Sequence, residues 1–467
     1  MKRYIGNREF YKLIAALALP LLLQNAISTF VSLLDNLMVG RIGTESMSGV
    51  SIVNQLLFVY NLCLFGGVGG AGIFGAQFYG RGNAKGVRYT LRFNILLCLG
   101  FTALAIGVLS LLPDTLIGAF LHESGTDGDL ALTLSEGKIY LNVMLWGLPA
   151  FAMTSAYVSI LRVTGDNRLP MRASVAAIFV NLVFNYFLIY GKCGFPMLGV
   201  RGAAIATVLS RYVEFALIAV GTHGKKQPRE FIRGLYNGFS IPTKLAGKIA
   251  RKGLPLLVNE MFWSLGMTML TQCYSYRGLN AIAALNINST MLNLFNTVIF
   301  TMGNTVGIVI GNLLGAEDFD RARDYCPKLA ALSCTASAAV GAVMFLIAPL
   351  APRLYNTSEE IMALAASLMR VAACFLPVHA ITNASYWTIR AGGRTYITML
   401  SDSAFTWVIS VPIAWVLIHV TALPLVETYI CVNLAELIKM TIGIILLRRG
   451  IWVRNIISDE ENLTENL

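Results

Sequence analysis

The sequence predicts an all-α integral membrane protein of about twelve transmembrane helices, and three observations carry this prediction. Of its 467 residues, 56% are hydrophobic and only 13% are charged, whereas soluble globular domains carry about 25% charged residues. Residues 93–113 and 330–352 contain no charged side chain, and about 20 apolar residues let a helix cross the bilayer. Lys and Arg also cluster in alternate loops, as they do when successive loops lie on opposite sides of a membrane.

Each long apolar stretch is interpreted as one span. The first such stretch, Leu13–Leu34, lacks the small-residue cleavage site of a signal peptide, so it is interpreted as the first span and not as a leader. The predicted spans cover residues 13–40, 46–74, 90–113, 138–161, 170–191, 198–221, 253–276, 281–309, 329–352, 361–389, 396–418 and 425–447. An even number of spans places both termini on one side of the membrane.

The positions of the basic residues predict which side that is. Twenty-seven of the 36 Lys and Arg residues fall in the termini and in the loops on the same side as the termini, with Arg390 and Arg394 counted in the loop between spans ten and eleven. Six fall on the other side, and three, Arg211, Arg370 and Lys439, fall within spans. Cytoplasmic loops carry the excess of Lys and Arg, so both termini are expected in the cytoplasm. The net charge of +11 therefore reflects topology, and no nucleic-acid partner is expected.

The chain repeats itself, which predicts two related lobes. The segment Leu-Pro-Leu-Leu at residues 19–22 recurs at 254–257, an offset of 235, and Arg162 and Gly165 recur as Arg390 and Gly393 at an offset of 228. Six spans in each half give a parallel repeat, as in transporters that rock two bundles about a central site. The predicted divisions are an N-lobe at 1–221, a cytoplasmic linker at 222–252, a C-lobe at 253–450 and a cytoplasmic tail at 451–467. Within the linker, residues 231–239 could lie on the membrane surface.

Polar residues within the spans of the first half form one candidate site. Asp35 lies in the first span, and an acid within the membrane is a functional candidate by default because burying its charge is unfavourable. Asn181 and Asn185 in the fifth span are four residues apart and so share a helix face; Thr207 and Tyr140 could complete the cluster. The set could load a proton or bind a small cation through oxygen. The alternatives are a hydrated Asp35 at the outer end of its helix and amides that only join helices.

The second half offers fewer candidates. Glu260 in the seventh span, at the repeat position of Asn25, could couple to a cation or balance the charge of a cationic substrate. His379 and Asn383 in the tenth span could handle protons or could simply be polar side chains with local partners.

Pro20 weakens the hydrogen-bond ladder of the first span, which permits either a moving bend or a static kink.

Three further acids lie nearer the helix ends and are expected to form local ion pairs with Arg211, Lys439 or loop arginines. These acids are Glu214, Asp402 and Glu436.

Several motifs together resemble the multidrug and toxic compound extrusion (MATE) family in a bacterial form, over residues 10 to 450. These motifs are Leu19-Pro20 followed by Asp35 and Val39-Gly40, the loop at 75–83 with its echo at 311–318, the run Gly199–Thr207, the pair Asn259-Glu260, and Arg390-Ala-Gly-Gly393. The resemblance implies two six-helix lobes around a V-shaped cavity in the bacterial cytoplasmic membrane. It also implies export of organic cations, driven by inward H+ or Na+, without a cofactor. A functional monomer is the expected state for two fused lobes.

The resemblance also implies roles for particular residues. The family's N-lobe motif falls on Asp35, Asn181, Asn185 and Thr207, which would hold the ion if the transporter is Na+-coupled. The family's second acid is Asn185 here, so this site keeps one carboxylate. Glu260 falls on the family's acid in the seventh span, whereas an acid that some members carry in the tenth span has no counterpart.

Three other functions compete with antiport. A lipid-linked saccharide flippase of the related superfamily would favour cationic residues in its cavity to meet a lipid phosphate, and Lys and Arg are scarce within the spans. An intramembrane enzyme would need a motif such as HExxH or GxSxG, and a nucleotide-driven pump would need GxxxxGK[ST]. None of these motifs occurs in the sequence.

Overall fold

The structure is a computed structural model that describes residues 4–40, 42–120, 130–224, 229–238, 240–355 and 357–458, with the side chains of all of these except residues 29–37, 39, 40 and 44. Throughout these ranges the regular elements are helical. The longer helices are α1 (Arg8–Gly40), α2 (Thr44–Gly80), α3 (Ala84–Leu111), α4 (Pro113–Gly118), α5 (Leu130–Met144), α6 (Leu148–Val163), α7 (Arg168–Tyr190), α8 (Gly199–His223), α9 (Thr243–Ser275), α10 (Leu279–Gly315), α11 (Phe319–Ile347), α12 (Glu359–Ala391), α13 (Thr395–Met399), α14 (Val411–Val420) and α15 (Leu425–Arg448).

The helices match the predicted membrane spans in number and length. Eleven helical segments of the described chain are long and apolar enough to cross a membrane. The remaining predicted span lies in α9, a 33-residue helix in which Asn259 and Glu260 interrupt the apolar sequence. The predicted all-α, polytopic membrane fold is therefore confirmed.

The eleventh span is a composite of two α-helices joined by wider turns. It runs over Thr395–Val420, and between α13 and α14 the residues Leu400–Ala404 and Thr406–Ser410 form π-helical turns. Such turns are rare and occur often at functional sites. The first of them contains Asp402, one of the acids for which the sequence predicts only a local ion pair.

The described residues separate into two compact units. The C-terminal unit comprises the described residues up to Leu22, residues 76–83 and the described residues from Lys248 onward. The N-terminal unit comprises the described residues of 23–75 and of 84–247. The lobe boundaries expected from the repeat stay a prediction.

Two glycines related by the repeat let α2 and α10 cross closely within the C-terminal unit. A Cβ atom on Gly315 would overlap the carbonyl oxygen of Gln77, and one on Gly80 would overlap that of Asn312. Gly80 and Gln77 are the repeat counterparts of Gly315 and Asn312, so the same contact is made twice. Only residues without a side chain allow backbones to approach this closely within a membrane.

Substituting Gly315 with Ala is expected to destabilise the protein, because the new methyl group must push one backbone away from the other. Overpacking of this kind typically destabilises by about 1–3 kcal/mol. The matched control is Gly107→Ala, since a Cβ atom at Gly107 in α3 meets no atom within 4 Å. Thermal unfolding in detergent should show a lower Tm for Gly315→Ala alone; equal Tm values for the two variants would contradict the crossing.

The segment after α15 packs against the C-terminal unit. Trp452 and Ile457 are each only 2% exposed. The side-chain amide of Gln77 donates to the carbonyls of Ala391 (3.0 Å) and Arg454 (3.3 Å) and accepts from the amide of Ile456 (2.8 Å). The predicted tail at 451–467 is therefore folded onto the protein as far as the structure describes it, to residue 458.

The linker is folded onto the N-terminal unit. Arg92 in α3 donates to the carbonyls of Gly234, Leu235 and Ser240 at 2.7–3.0 Å. Leu235 is 1% exposed and Phe231 is 6% exposed. The placement of 231–239 on the membrane surface stays a prediction, but Phe231 and Leu235 pack into the protein. The sequence pattern could not reveal this, because the partner arginine lies in a distant part of the chain.

Candidate functional site

The structure brings three of the predicted N-lobe residues together in the N-terminal unit. Asn185 Nδ2 donates to Asn181 Oδ1 at 3.2 Å, and Asn181 Nδ2 lies 3.3 Å from Thr207 Oγ1. Asn181 and Asn185 are 6% and 1% exposed. The i, i+4 spacing on α7 therefore places the two amides together, and Thr207 of α8 adds a hydroxyl to this buried polar cluster.

Asp35 lies on α1, and its side chain is outside the described residues. Tyr190 at the end of α7 donates to the carbonyl of Met38 at 3.1 Å. In each helix the candidate residue precedes this contact, since Asp35 comes three residues before Met38 and Asn185 comes five residues before Tyr190. The structure therefore shows α1 and α7 in contact at the ends that follow Asp35 and Asn185 in the chain.

Tyr140 and Pro20 have different surroundings. The Tyr140 hydroxyl, in α5, lies 3.5 Å from Asn54 Oδ1 in α2, and Tyr140 is 5% exposed. Pro20 lies inside the continuous helix α1, and the expected bend at this residue stays a prediction.

In the C-terminal unit, Glu260 of α9 faces an arginine. Arg390 Nη1 lies 3.8 Å from Glu260 Oε1, and the two side chains are 3% and 14% exposed. The guanidinium of Arg390 also lies 4.5 Å from the ring centroid of Trp387 and donates to the Tyr386 hydroxyl at 3.3 Å.

The assignment of Arg390 to the loop between spans ten and eleven is therefore wrong. It is the penultimate residue of α12, and its side chain extends among aromatic rings, as long cationic side chains often do. The sequence position one residue beyond the apolar stretch gave no sign of this burial.

A second ion pair lies beside the first. Lys439 Nζ of α15 is 2.6 Å from Asp402 Oδ1, and Asn259 Nδ2 donates to Asp402 Oδ2 at 3.1 Å. Asn259 Oδ1 accepts from the Ser403 hydroxyl at 2.6 Å, and Asn259 Nδ2 lies 3.4 Å from the Tyr386 hydroxyl. The local ion pair expected for Asp402 is thus present, and Asn259 joins it to the Glu260–Arg390 pair through Tyr386.

Glu436 and His379 extend this chain of contacts. Glu436 Oε2 lies 3.9 Å from Lys439 Nζ and 3.9 Å from His379 Nδ1. Asn383 Oδ1 lies against Gly303 of α10, where a Cβ atom would overlap it. We refer to Glu260, Arg390, Tyr386, Asn259, Asp402, Lys439, Glu436 and His379 together as the C-terminal network.

A related network in the N-terminal unit was missed by reasoning from the sequence. Gln24 Nε2 donates to Ser174 Oγ at 2.7 Å, Ser174 lies 2.5 Å from Glu214 Oε1, and Arg162 Nη2 donates to Gln24 Oε1 at 3.3 Å. Arg211 pairs with Glu214 at 3.5 Å, as expected. In the repeat, Gln24 corresponds to Asn259, and Arg162 and Arg211 correspond to Arg390 and Lys439. Applying the two repeat offsets to every polar residue within the spans could have revealed this network.

Comparison with protein families adds an independent finding. The MatE family model matches residues 20–187 and 255–416. The starts of the two matches are separated by the first offset of the repeat found in the sequence. Together they cover most of the chain, including Asp35, Asn181, Asn185, Glu260 and Asp402, whereas Thr207 lies between the two matches.

Individual relatives match over nearly the full length. The chain is 26% identical to the probable multidrug resistance protein NorM of Thermotoga maritima over 99% of this chain and 98% of that protein. It is 24% identical to the probable multidrug resistance protein YoeA of Bacillus subtilis over 88% of each. Among solved structures, an outward-facing multidrug resistance MATE family transporter of the MOP superfamily matches with a TM-score of 0.84 and 22% identity, over 94% of this chain and 95% of that one.

Proposed function

We propose that this chain, which belongs to the MatE family of multidrug efflux transporters, exports small organic cations in exchange for inward H+ or Na+. The observation that carries the proposal is a buried, oxygen-rich polar cluster within the spans of each unit. Placing polar and charged groups inside a membrane is unfavourable, so two such clusters in a transporter support binding of ions or charged substrates there.

The N-terminal cluster is the proposed coupling site. Asp35 supplies the one carboxylate, and the amide and hydroxyl oxygens of Asn181, Asn185 and Thr207 supply neutral ligands of the kind that hard cations prefer. A proton on Asp35 or a Na+ ion among these oxygens would neutralise the acid. The free energy of binding would then differ between the two directions in which the transporter opens, which is the requirement for coupling.

The C-terminal network supports a transporter of cations better than a flippase of anionic lipids. A lipid phosphate would need a cation without a carboxylate beside it. Arg390 and Lys439, the two buried cations of this network, lie 3.8 Å and 2.6 Å from carboxylate oxygens. Their charges are therefore already balanced.

The orientation follows from the distribution of basic residues. Both termini are proposed to face the cytoplasm of a bacterial cell, with the chain acting as a monomer in the cytoplasmic membrane. Reclassifying Arg390 as a buried residue leaves the excess of cytoplasmic Lys and Arg in place.

The experiment that tests this function is antiport by purified protein in proteoliposomes. Ethidium is loaded, and its movement is measured under a pH gradient alone and under a Na+ gradient alone. Antiport predicts transport that follows one of the two gradients and stops when that gradient is collapsed. Transport of ethidium that ignores both gradients, or none at all with correctly folded protein, would overturn the proposal.

A further inference from the structure

The C-terminal network contains a buried lysine beside two carboxylates. Lys439 Nζ lies 2.6 Å from Asp402 Oδ1 and 3.9 Å from Glu436 Oε2. Its side chain is 11% exposed, and the ring centroid of Phe405 lies 5.8 Å from the ammonium group. A single positive charge is thus held between two carboxylates of neighbouring helices, next to an aromatic face.

Asp402 is held firmly for this contact. Its second oxygen, Oδ2, accepts from Asn259 at 3.1 Å, and Asn259 in turn binds both the hydroxyl and the backbone amide of Ser403. Asp402 lies within the π-helical turn Leu400–Ala404, and a second such turn follows at Thr406–Ser410; this rare backbone geometry is an independent sign of a built site. Both oxygens of Asp402 therefore have fixed partners, and Oδ1 faces the ammonium group.

An ammonium group and a Na+ ion carry the same charge and are both bound by carboxylate oxygens. They cannot share one pair of acids, because two cations a few ångströms apart repel strongly where little water screens them. A tethered ammonium is also present at a fixed position regardless of the Na+ concentration, which gives it the advantage of a high effective concentration.

We propose that Lys439 is a tethered cation that occupies the cation position between Asp402 and Glu436, and so excludes Na+ from the C-terminal unit. The inference rests on the proposed antiport, because the exclusion of Na+ from one site matters for transport only where transport is coupled to an ion. If transport is driven by Na+, the inference places the binding site of the coupling ion at Asp35 in the N-terminal unit.

Sodium binding to purified protein tests this inference. All variants carry Asp35→Asn, so that the N-terminal cluster contributes no carboxylate, and binding of radioactive Na+ is measured in choline buffer alongside thermal unfolding in NaCl and KCl. With Lys439 intact, no saturable Na+ binding is expected. Lys439→Gln is expected to bind one Na+ per chain and to gain a Tm shift that is specific for Na+ and rises with its concentration.

Two further variants serve as controls. Lys439→Arg keeps the tethered charge and should bind no Na+. Adding Asp402→Asn to Lys439→Gln should abolish the binding that was gained. If Lys439→Gln does not fold, Lys439→Ser opens the same position with a smaller side chain.

The inference is overturned by either of two results. One result is saturable Na+ binding by protein that keeps Lys439, where that binding is lost when Asp402→Asn is added. The other is a folded Lys439→Gln variant that binds no Na+. Since binding is read without transport, these outcomes are distinct from a failure of the antiport assay, which would instead overturn the proposed function.

Discussion

Replacing Asp35 with Asn is expected to abolish coupled efflux while leaving membrane insertion intact. The substitution removes the carboxylate proposed for the N-terminal coupling site but keeps the size of the side chain and its ability to hydrogen-bond. Asn181, Asn185 and Thr207 supply only neutral oxygens, so nothing in that cluster replaces the lost charge. Without a group that gains and loses a cation, neither gradient can bias the two directions of opening, because a bound ion can shift an equilibrium only through its differential affinity for the two states.

The measurement is ethidium antiport in proteoliposomes under a pH gradient and, separately, under a Na+ gradient. Asp320→Asn is the matched control, since it makes the same chemical change at a side chain that is 100% exposed at the start of α11. We expect Asp35→Asn liposomes to behave like protein-free liposomes under both gradients, with the control unaffected. Full gradient-driven efflux by Asp35→Asn protein would remove Asp35 from the mechanism.

Much of the fold could be predicted because the bilayer imposes strict rules on sequence. Each span must be about 20 apolar residues long, and basic residues mark the cytoplasmic loops. The Asn181–Thr207 contact could be predicted from the i, i+4 spacing on α7 and the neighbouring position of α8 in the chain. These features are local or follow from simple periodicity.

The pairing of side chains from distant helices could not be predicted in the same way. The sequence places Arg390 in a loop because the apolar stretch stops one residue earlier, yet its long side chain reaches Glu260, which belongs to a helix far away in the chain. Asp402 is predicted to pair locally with Lys439, and it does, but its second partner, Asn259, comes from α9. Only packing of α9 against the other helices of the unit creates that contact.

The repeat reproduces one of these contacts in both units, namely that of an arginine with the first helix of its half. Arg162 meets Gln24 in the N-terminal unit, and Arg390 lies beside Glu260, the neighbour of the residue that matches Gln24. Each unit therefore directs an arginine from the end of one helix toward the first helix of the repeat. In the C-terminal unit that helix carries an acid, so the contact becomes an ion pair whose strength can be measured.

Replacing Glu260 with Gln is expected to destabilise the protein strongly, and a second substitution should reverse most of the loss. Glu260→Gln leaves the 3%-exposed guanidinium of Arg390 without its nearest carboxylate. Breaking a buried ion pair by removing one partner destabilises by about 3–5 kcal/mol, whereas removing both partners together is often nearly neutral. We therefore expect Tm to fall for Glu260→Gln and for Arg390→Gln, and to recover largely in Glu260→Gln/Arg390→Gln.

The same four proteins separate a structural role of Glu260 from a functional one. If Glu260 serves transport, the double variant will be stable in thermal unfolding but will remain defective in ethidium antiport, because neutralising Arg390 restores the charge balance without restoring an acid. If Glu260 serves only to balance Arg390, the double variant will regain both stability and transport. Additive effects of the two single substitutions on Tm would mean that the two side chains are not energetically coupled, and the pair would then contribute nothing to the C-terminal network.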